Sequence, residues 1–528
     1  MLPPDARQRG FVCADGTLEN SAVLDAVLGD SRKRLRECHV AVLYFAKAFD
    51  TVSDRALVGL LRARRLPLAF CDYITRLYDS ATTTLDVGVQ SSSPVKLGRG
   101  VRQGDPLSPI LFNMAMDVIL AALPKEVGYR LEMERVSALA YADDLVLLAG
   151  SKVGMQESID RVFEVASSMG LLVNNNKSSV LSMVPDGKRK KHHYLTGKNF
   201  RIGRKWLSQT SCVERWRYLG IDFQASGCVM LEHDIKVALT NISKAPLKPQ
   251  QELEIVRGHL IPRFLHGLVL GNISDDRLSM LVRNWLRLPN DVSVGYFHAD
   301  IKDGGLAIPS LRATVPDLIL KRFGRLDSSS WPVAQAAARS ARIRKKLSWA
   351  DKQIRKFTRE NPVTGLRSVP RFWRDRLWSS VDGFELRESA RTPASTKWIR
   401  EEFSHVSCRD FVQFVQTHIN ALPSRVRTSR GRRIGRETEL NCRAGCVVRE
   451  KTAHTIQQCW RTHGGRILRH DRVVSLVAEA MASDQWSVVT EPHVKTSKGL
   501  RKSDIVAAKG GVGVIVDVHV VSGQRPSR

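Results

Sequence analysis

Residues 138–148 place the strongest constraint on how this chain folds, because two apolar runs there flank a pair of acidic residues. That pattern is typical of a tight β-hairpin between buried strands. Asp143 and Asp144 are adjacent in the turn, where carboxylates repel each other unless they hold cations. An exposed turn that merely favours aspartate would explain two such residues, but it fits poorly with wholly apolar flanking strands. The sequence therefore predicts a divalent-cation site at the tip of a hairpin.

The residues around this hairpin alternate between short apolar runs and helical patterns, from about residue 38 to 225. Residues 39–45 have the composition of a buried strand. Residues 105–109 open a helix that continues through Leu120, because prolines suit a first helical turn. Beyond residue 226 the pattern becomes helical. The sequence thus predicts a mixed fold, α/β or α+β, followed by a helical region.

The charge of the chain predicts a polyanionic partner. Its 528 residues include 82 Lys and Arg against 53 Asp and Glu, a formal net charge of +29. Six arginines lie within residues 424–436 and could contact successive phosphates; a solvated linker is the alternative reading of that run. The distribution of cationic residues along the chain favours a nucleic-acid partner over a membrane surface. No stretch of the sequence approaches the ~18 apolar residues of a membrane span. On composition alone, a highly charged soluble surface remains the alternative.

Cysteine usage predicts a reducing compartment and one metal site. Nine cysteines are spread thinly over a large chain, unlike a secreted disulfide scaffold. Only the last three cluster, and with one histidine they give a set of soft ligands at the short spacings that tetrahedral zinc prefers. These ligands are Cys442, Cys446, His454 and Cys459, with His463 as a rival to His454. The alternative, a chance cluster of buried thiols, is discounted because no other three cysteines lie so close.

Two aspartates near the end of the chain form a weaker pattern. Asp504 and Asp517 each fall in a short apolar segment that predicts a strand. Two strand carboxylates that converge can bind Mg²⁺ for phosphodiester hydrolysis. Aspartates at strand ends are common, however, so the pattern alone does not identify a nuclease.

Five ordered motifs together resemble the palm of reverse transcriptases. Their residues are most similar to those of non-LTR retrotransposons that insert into ribosomal RNA genes. They are Phe-Ala-Lys-Ala-Phe-Asp (45–50), the segment 99–113, Tyr-Ala-Asp-Asp (141–144), the segment 170–178 and Arg-Tyr-Leu-Gly-Ile-Asp-Phe (217–223). The opening Gln-Arg-Gly-Phe (8–11) looks like part of that family's fingers. The resemblance implies a right-hand polymerase of α+β class, with an antiparallel palm sheet and a helical thumb.

The resemblance also implies a domain order. Fingers and palm would span 1–225, the helical thumb 226–325 and a basic, nucleic-acid-binding linker region 326–440. A Cys-Cys-His-Cys zinc knuckle at 441–463 would precede a restriction-enzyme-like endonuclease at 464–528. That nuclease looks cut short, because no lysine follows Asp517 before Arg528 and Ser503 replaces a usual proline. We therefore expect a piece of a longer polyprotein.

Individual roles in the palm follow from the same resemblance. Asp143 and, more weakly, Asp144 would hold two Mg²⁺ ions for nucleotidyl transfer. Lys177 matches the lysine proposed to protonate the pyrophosphate leaving group, with a solvated turn lysine as its alternative. Phe49 sits where the family places the side chain that excludes a ribose 2′-hydroxyl, although a plain core phenylalanine would also fit. The segment beside the incoming nucleotide and the template would be Arg102, Gln103 and Gly104.

One position departs from the family pattern. The aspartate that both metals share should lie three residues before Lys47, but that position is Tyr44. A phenol with a pKa near 10 is neutral at pH 7 and cannot bridge two cations. Asp50 occupies the family's own second aspartate position and is a poor substitute. We therefore expect this copy to polymerise feebly or not at all.

The resemblance implies an RNA-directed DNA polymerase with a C-terminal endonuclease region, which would nick DNA and prime reverse transcription from the nick. Its partners would be the element's template RNA, target DNA in a ribosomal RNA gene and dNTPs, with no membrane. Mg²⁺ would serve the polymerase and the nuclease, and Zn²⁺ would be structural. We expect a nuclear location. The alternative is a catalytically impaired relic that only binds nucleic acid.

Overall fold

The computed structural model describes residues 4–88, 90–229, 232–269, 284, 286–360, 369–400, 407–430, 437–497 and 499–520. Its contacts divide the chain into two compact units. The first unit comprises residues 1–238, 262–274 and 311–362, and the second comprises 239–261, 275–310 and 363–528. The domain boundaries expected from the sequence stay predictions.

The centre of the first unit is a sheet with the strand order β11–β10–β1–β9–β8, and β14 pairs with β10. Neighbours on the main path run antiparallel, and β14 runs parallel to β10. The expected hairpin over 138–148 is confirmed as β8 and β9. The expected strand over 39–45 is confirmed as β1, although it ends at Leu43, two residues earlier than expected. The bounds of these strands are β1 Cys38–Leu43, β8 Ala138–Tyr141, β9 Asp144–Ala149, β10 Ser179–Asp186, β11 Lys191–Tyr194 and β14 Ser208–Gln209.

Both faces of this sheet are covered, which explains why its central strands are apolar along their whole length. On one face, Ala41 and Leu43 of β1 join the core formed with helices α5 (Ser108–Ala121) and α6 (Lys152–Ser168). Side chains alternate between faces along a strand, so Val40 and Val42 point the other way. That second face lies against α1 (Gly16–Arg34), which contacts β8 and is buried over most of its length.

The first unit contains further short elements and helices. Its helices are α2 Ala48–Thr51, α3 Asp54–Ala63, α4 Leu68–Asp79, α11 Leu311–Phe323, α12 Pro332–Arg339 and α13 Ala341–Glu360. Its short strands are β2 Thr82–Thr83, β3 Asp86–Val87, β4 Gln90–Ser91, β5 Val95–Lys96, β6 Tyr129–Leu131, β7 Glu134–Val136, β12 Arg201–Ile202, β13 Lys205–Trp206, β15 Trp216–Tyr218, β16 Ile221–Gln224 and β17 Gly227–Cys228. The helix α7 (Glu232–Lys244) begins in this unit and ends in the second.

The second unit is largely helical and ends in a small sheet. Helix α19 (His463–Ser483) packs on strands β18 and β21, with Val474, Ile505 and Ala507 as its buried core. The sheet order is β18–β21–β22. The remaining helices are α8 Pro249–Glu254, α9 Ile261–Leu268, α10 Gly295–His298, α14 Val369–Trp378, α15 Leu386–Ser389, α16 Lys397–Arg400, α17 Cys408–His418 and α18 Arg425–Thr428. Of these, α9 ends in the first unit. The strands are β18 Ser487–Thr490, β19 His493–Thr496, β20 Gly499–Lys502, β21 Ile505–Lys509 and β22 Val512–Val516. Within the described residues, no helix combines the length and the apolar character that a bilayer span needs.

Candidate functional site

The two central acidic residues lie at the tip of the β8–β9 hairpin, as expected. Tyr141 pairs with Asp144, which leaves Ala142 and Asp143 as a two-residue turn. Such turns require a positive φ, and Ala142 has a φ of 53°. Because a Cβ crowds the following carbonyl in that conformation, the turn costs roughly 1–2 kcal/mol relative to an ordinary backbone. Some other contact must hold this turn.

The side chain of Gln8 holds it. The Gln8 amide donates from Nε2 to the Ala142 carbonyl at 3.1 Å, and its Oε1 accepts from the Ala142 N–H at 2.8 Å. The same Oε1 accepts from the N–H of Gly10 at 2.9 Å. A Cβ at Gly10 would lie 2.4 Å from the Ala142 nitrogen, so only glycine fits there. Gln8 is fully buried, and sequence reasoning missed its role because 134 residues separate the two partners.

Tyr44 lies beside the acidic pair. It directly follows β1, whose Leu43 is paired with Leu145, so the register brings Tyr44 alongside Asp144. The Tyr44 hydroxyl donates to the Arg217 carbonyl at 2.9 Å. Burial, and then the charge of Asp144, raise the pKa of the Tyr44 phenol above its usual value. The side chain at this position is therefore neutral at physiological pH and offers no carboxylate.

Burial also affects the acidic pair itself. It raises the pKa of Asp144, and the neighbouring Asp143 carboxylate raises it further. Two adjacent, half-buried carboxylates are a suitable place for a cation. Within the described residues, however, no third Asp, Glu, His or Cys joins them as a ligand group of three. Asp50 is engaged elsewhere, since its carboxylate accepts from Gln103 Nε2 at 3.0 Å.

The loop that carries Lys177 is attached to the same end of the sheet. The Asn174 N–H donates to the Tyr44 carbonyl at 2.7 Å, and the Tyr44 N–H donates to Ser178 Oγ at 3.1 Å. Lys177 lies between these two contacts and its side chain is exposed. The structure thus puts this lysine on a loop next to position 44.

Phe49 belongs to an aromatic cluster. Its ring stacks on Phe112 with centroids 4.3 Å apart and an interplanar angle of 14°. Phe11 approaches Phe49 edge-on, with centroids 6.3 Å apart. Phe49 stays only partly buried, so its ring is held by neighbours and still reaches the surface.

The segment expected beside the nucleotide divides into one constrained and two exposed residues. The Arg102 guanidinium lies 4.5 Å from the centroid of the Tyr78 ring and 3.6 Å from the Asp54 carboxylate. Gln103 and Gly104 are exposed. Gly104 has a φ of 89°, which favours glycine, and its absent Cβ would meet no atom within 4 Å. The glycine therefore serves the turn and leaves open space above it.

The four expected zinc ligands come together in the second unit. Their ligand atoms all lie within 4.8 Å of one another. Cys442 Sγ is 3.7 Å and Cys446 Sγ 4.0 Å from Cys459 Sγ. Both ring nitrogens of the buried His454 have no hydrogen-bond partner. An imidazole buried without partners next to three sulfurs fits a tetrahedral metal ion.

Two further contacts bear on the identity of the ligands. The Ala444 N–H points at Cys442 Sγ at 3.4 Å, as expected for a thiolate that accepts hydrogen bonds. His463, the rival ligand, lies outside the ligand group; its Nδ1 contacts Arg466 Nη2 at 3.0 Å.

Asp504 and Asp517 meet at the end of the small sheet. Asp504 directly precedes β21 and Asp517 directly follows β22, and the pairing of Ile505 with Val516 brings the two together. They flank the strands, instead of lying within them as expected, because strand pairing stops before these charged residues. The Asp504 N–H donates to Asp517 Oδ1 at 3.2 Å.

A histidine that sequence reasoning did not assign joins this pair. His470 Nε2 lies 3.2 Å from Asp504 Oδ2, and its Nδ1 lies 3.3 Å from Asp471 Oδ1. The hydrogen bond to Asp471 and the charge of Asp504 raise the pKa of His470. Because 34 residues separate His470 from Asp504, no local sequence pattern reveals this contact.

The arginine run is only partly described, since 431–436 lie outside the described residues. Within the rest, Arg427 is buried, and its Nη1 lies 3.0 Å from a carboxylate oxygen of both Asp382 and Asp291. Arg430 Nη1 lies 2.7 Å from Asp382. These two arginines are therefore ion-paired within the second unit, and Arg427 is not free to bind a phosphate.

Comparisons with known proteins identify the family of this chain. Residues 5–223 match the family described as reverse transcriptase (RNA-dependent DNA polymerase). The chain is 38% identical to a Retrovirus-related Pol polyprotein from type-1 retrotransposable element R2 of Nasonia vitripennis, over 98% of this chain and 50% of that protein. It is 30% identical to an R2 polyprotein of Popillia japonica, over 97% of this chain and 71% of that protein.

A solved structure of apo telomerase from Candida Tropicalis is also similar, with 12% identity and a TM-score of 0.32 over 71% of this chain and 58% of that chain; that score adds nothing to the assignment. The chain spans about half the length of the first curated relatives it matches. The chain belongs to the family of R2-type retrotransposable-element Pol polyproteins and contains their reverse transcriptase domain.

Proposed function

We propose that this chain is the RNA-directed DNA polymerase region of an R2-type polyprotein, with a metal site that is incomplete in this copy. The observation that carries the proposal is Tyr44, which lies beside Asp144 where a shared carboxylate would be needed. Nucleotidyl transfer uses two divalent cations, one at the primer 3′-hydroxyl and one at the triphosphate. Two carboxylates from adjacent residues do not complete that ligand set, so polymerisation would be feeble or absent.

The proposed roles of the other palm residues follow their positions. Arg102, Gln103 and Gly104 would lie beside the incoming nucleotide and the template, and the open space above Gly104 supports that role. Phe49 would exclude a ribose 2′-hydroxyl, since its ring is held by Phe112 yet reaches the surface. Lys177 would donate a proton to pyrophosphate.

The test is restoration of the carboxylate. Tyr44→Asp should raise Mg²⁺-dependent primer extension on an RNA template by on the order of 100-fold or more, because metal stabilisation of the transition state is worth several kcal/mol. Tyr44→Asn is the matched control, since it removes the same ring and the contact to Arg217 but adds no charge. Equal extension by the native chain and both variants would refute the proposal.

The second candidate function is nucleic-acid binding without synthesis. Tyr44 favours it for this copy, and so does the net charge of +29. Salt-dependent RNA binding without extension, both before and after Tyr44→Asp, would support it. Extension restored by the aspartate would instead show that only one ligand is missing.

For the second unit, we propose a structural Zn²⁺ held by Cys442, Cys446, His454 and Cys459, and an endonuclease region around Asp504 and Asp517. The partnerless imidazole of His454 supports the zinc site. The convergence of the two aspartates with His470 supports phosphodiester hydrolysis with Mg²⁺. DNA nicking that is lost in Asp517→Asn but kept in the matched Asp484→Asn variant, at an exposed aspartate elsewhere in this region, would test the nuclease.

The proposed partners are the element's template RNA, dNTPs and target DNA of a ribosomal RNA gene, and the proposed location is the nucleus. RNA and dNTPs follow from the polymerase assignment. The ribosomal target rests on the resemblance of the palm motifs alone. Binding of the full chain to ribosomal and unrelated DNA duplexes, compared at one salt concentration, tests it directly.

A further inference from the structure

A strongly basic groove lies between the C-terminal half of α1 and the start of α13. Six cationic side chains line it, against the two acidic side chains of Asp30 and Glu132. All of its lining residues belong to the first compact unit. The cationic residues are Lys33, Arg34, Arg339, Arg342, Arg344 and Lys345.

Ion pairs fix the walls of this groove in place. Arg342 Nε lies 2.7 Å from the carboxylate of Asp25, and its Nη1 donates to the Ser226 carbonyl at 2.8 Å. Asp25 is itself buried and also accepts from the Cys228 N–H at 2.8 Å. This network anchors the first turn of α13 to α1, so the groove exists before any ligand binds.

Three of the cationic residues have no acidic partner in the part of the chain that the structure describes. Arg34, Arg339 and Arg342 pair with Asp30, Glu132 and Asp25 at 2.7–2.9 Å. Lys33, Arg344 and Lys345 are exposed and form no ion pair within the described residues. Three such cations on two elements attract a polyanion, since each one that meets a phosphate releases condensed counterions.

The groove lies far from the hairpin tip. Asn20, near the start of α1, donates from its amide to the Ala140 carbonyl of β8 at 3.0 Å, which places that end of the helix at the hairpin. Lys33 is thirteen residues further along, which corresponds to roughly 20 Å at the rise of an α-helix. A strand that occupies the groove therefore does not depend on the cation site at Asp143.

A second groove in the first unit does not share this excess of cationic side chains. It is lined by Lys152 and Arg161, but also by Glu157, Asp160 and Glu164. Acidic side chains outnumber cations there, although the chain as a whole is strongly basic. The groove between α1 and α13 is thus the more positive of the two.

We propose that this groove binds the phosphodiester backbone of a nucleic acid, at a site separate from the polymerase centre. The phosphates would contact Lys33, Arg344 and Lys345, without base readout, because no unpaired side chain there offers a planar hydrogen-bonding edge except Arg344. RNA and DNA share this chemistry. The inference does not require catalysis by the palm.

The test replaces the three unpaired cations in the full chain. Lys33→Gln, Arg344→Gln and Lys345→Gln together should weaken binding of an RNA hairpin on the order of 100-fold at 0.1 M salt, and should reduce the slope of log K against log salt by about 2 to 3. The matched control, Lys188→Gln with Lys191→Gln and Lys198→Gln, removes the same charge from exposed positions of the first unit. It should change the slope by less than about 1.

Three outcomes are distinguished by the choice of probe. A loss seen with RNA hairpin but not with duplex DNA assigns the groove to RNA, and the reverse assigns it to DNA. Equal slopes for the groove variant, the control and the native chain on both probes would overturn the inference. Failure of Tyr44→Asp to restore extension would leave it unaffected, because binding is measured without nucleotides or Mg²⁺.

Discussion

The hairpin tip of the first unit and the cysteine cluster of the second are both candidate metal sites, but they are built in opposite ways. The hairpin tip joins Gln8, Tyr44 and the Asp143–Asp144 pair, which the sheet and the amino-terminal segment bring together. The cysteine cluster draws all its ligands from eighteen consecutive residues, 442–459. Within the described residues, the hairpin tip groups no third potential ligand with its two carboxylates, whereas the cysteine cluster groups four potential ligands.

The difference shows what holds each site together. The turn at Ala142 is fixed by two hydrogen bonds to Gln8, whose side chain also accepts from the Gly10 N–H, so its shape does not depend on a cation. The cysteine cluster has little regular structure, and the imidazole of His454 has no protein partner. For such elements the free energy of metal binding is largely free energy of folding. Metal removal should therefore affect the two sites very differently.

The largest expected effect is on the cysteine cluster. Cys459→Ser should abolish zinc binding and remove hydrogen-exchange protection from residues 441–463, because structural zinc contributes about 10 kcal/mol or more to small metal-bound elements. The hairpin strands β8 and β9 should keep their protection. Zinc content by mass spectrometry and hydrogen exchange on the same samples measure both.

The control for this experiment is Cys408→Ser, which changes an exposed cysteine of the second unit outside the ligand group. It should retain one zinc ion per chain. If the purified native chain carries no metal and still protects residues 441–463, the zinc assignment is wrong.

Much of this contrast could be predicted from the sequence, because the informative patterns are short. The pattern that predicts the hairpin spans eleven consecutive residues, and the proposed zinc ligands lie within eighteen. Tyr44 could be identified as a departure because the neighbouring Lys-Ala-Phe-Asp fixes its position. The strand at 39–45 and the helix after Pro106 followed from local composition in the same way.

What could not be predicted depends on contacts between distant residues. The sequence around Gln8 does not indicate its contact with Ala142, because the two residues meet only in the folded sheet. The sequence predicts that Arg427 belongs to a phosphate-binding run, but in the structure Asp382 and Asp291 form ion pairs with it. His470 gains its role only when α19 packs against the strand that follows Asp504. Composition does not encode these pairings, because each requires the tertiary structure.

The second prediction concerns the clamp on the hairpin. Gln8→Ala should destabilise the first unit by about 3 kcal/mol, since it leaves the buried N–H and C=O of Ala142 without partners and removes the support for its positive φ. The effect should appear as faster hydrogen exchange in β8 and β9, and as a lower urea midpoint for the first unit.

Gln103→Ala is the control, because Gln103 is exposed and its single hydrogen bond to Asp50 is replaceable by water. It should cost less than about 0.5 kcal/mol. Similar losses in the two variants would mean that the hairpin does not depend on Gln8, and the contrast with the metal-dependent cluster would lose its basis.

The mildest test compares buried carboxyl groups in the two units. Glu19 of the first unit pairs with Arg9 and accepts from Ser329 Oγ at 2.7 Å, whereas burial alone raises the pKa of Glu252 in the second unit to about 7. The native state therefore holds a proton on Glu252 that the unfolded chain releases above about pH 4.5. Stability of the second unit should fall as pH rises from about 4.5 to 7 and then level off.

Glu252→Gln removes that dependence, because the amide stays neutral at every pH. The variant should match the native chain near pH 4.5 and exceed it by up to about 3 kcal/mol at pH 8, as measured by urea unfolding followed through hydrogen exchange in the second unit. Glu254→Gln, two residues away and exposed, should change stability by less than about 0.5 kcal/mol at either pH. A native second unit that becomes more stable between pH 5 and pH 8, with Glu252→Gln following the same curve, would show that this carboxyl is ionised in the folded chain and has a partner as Glu19 does.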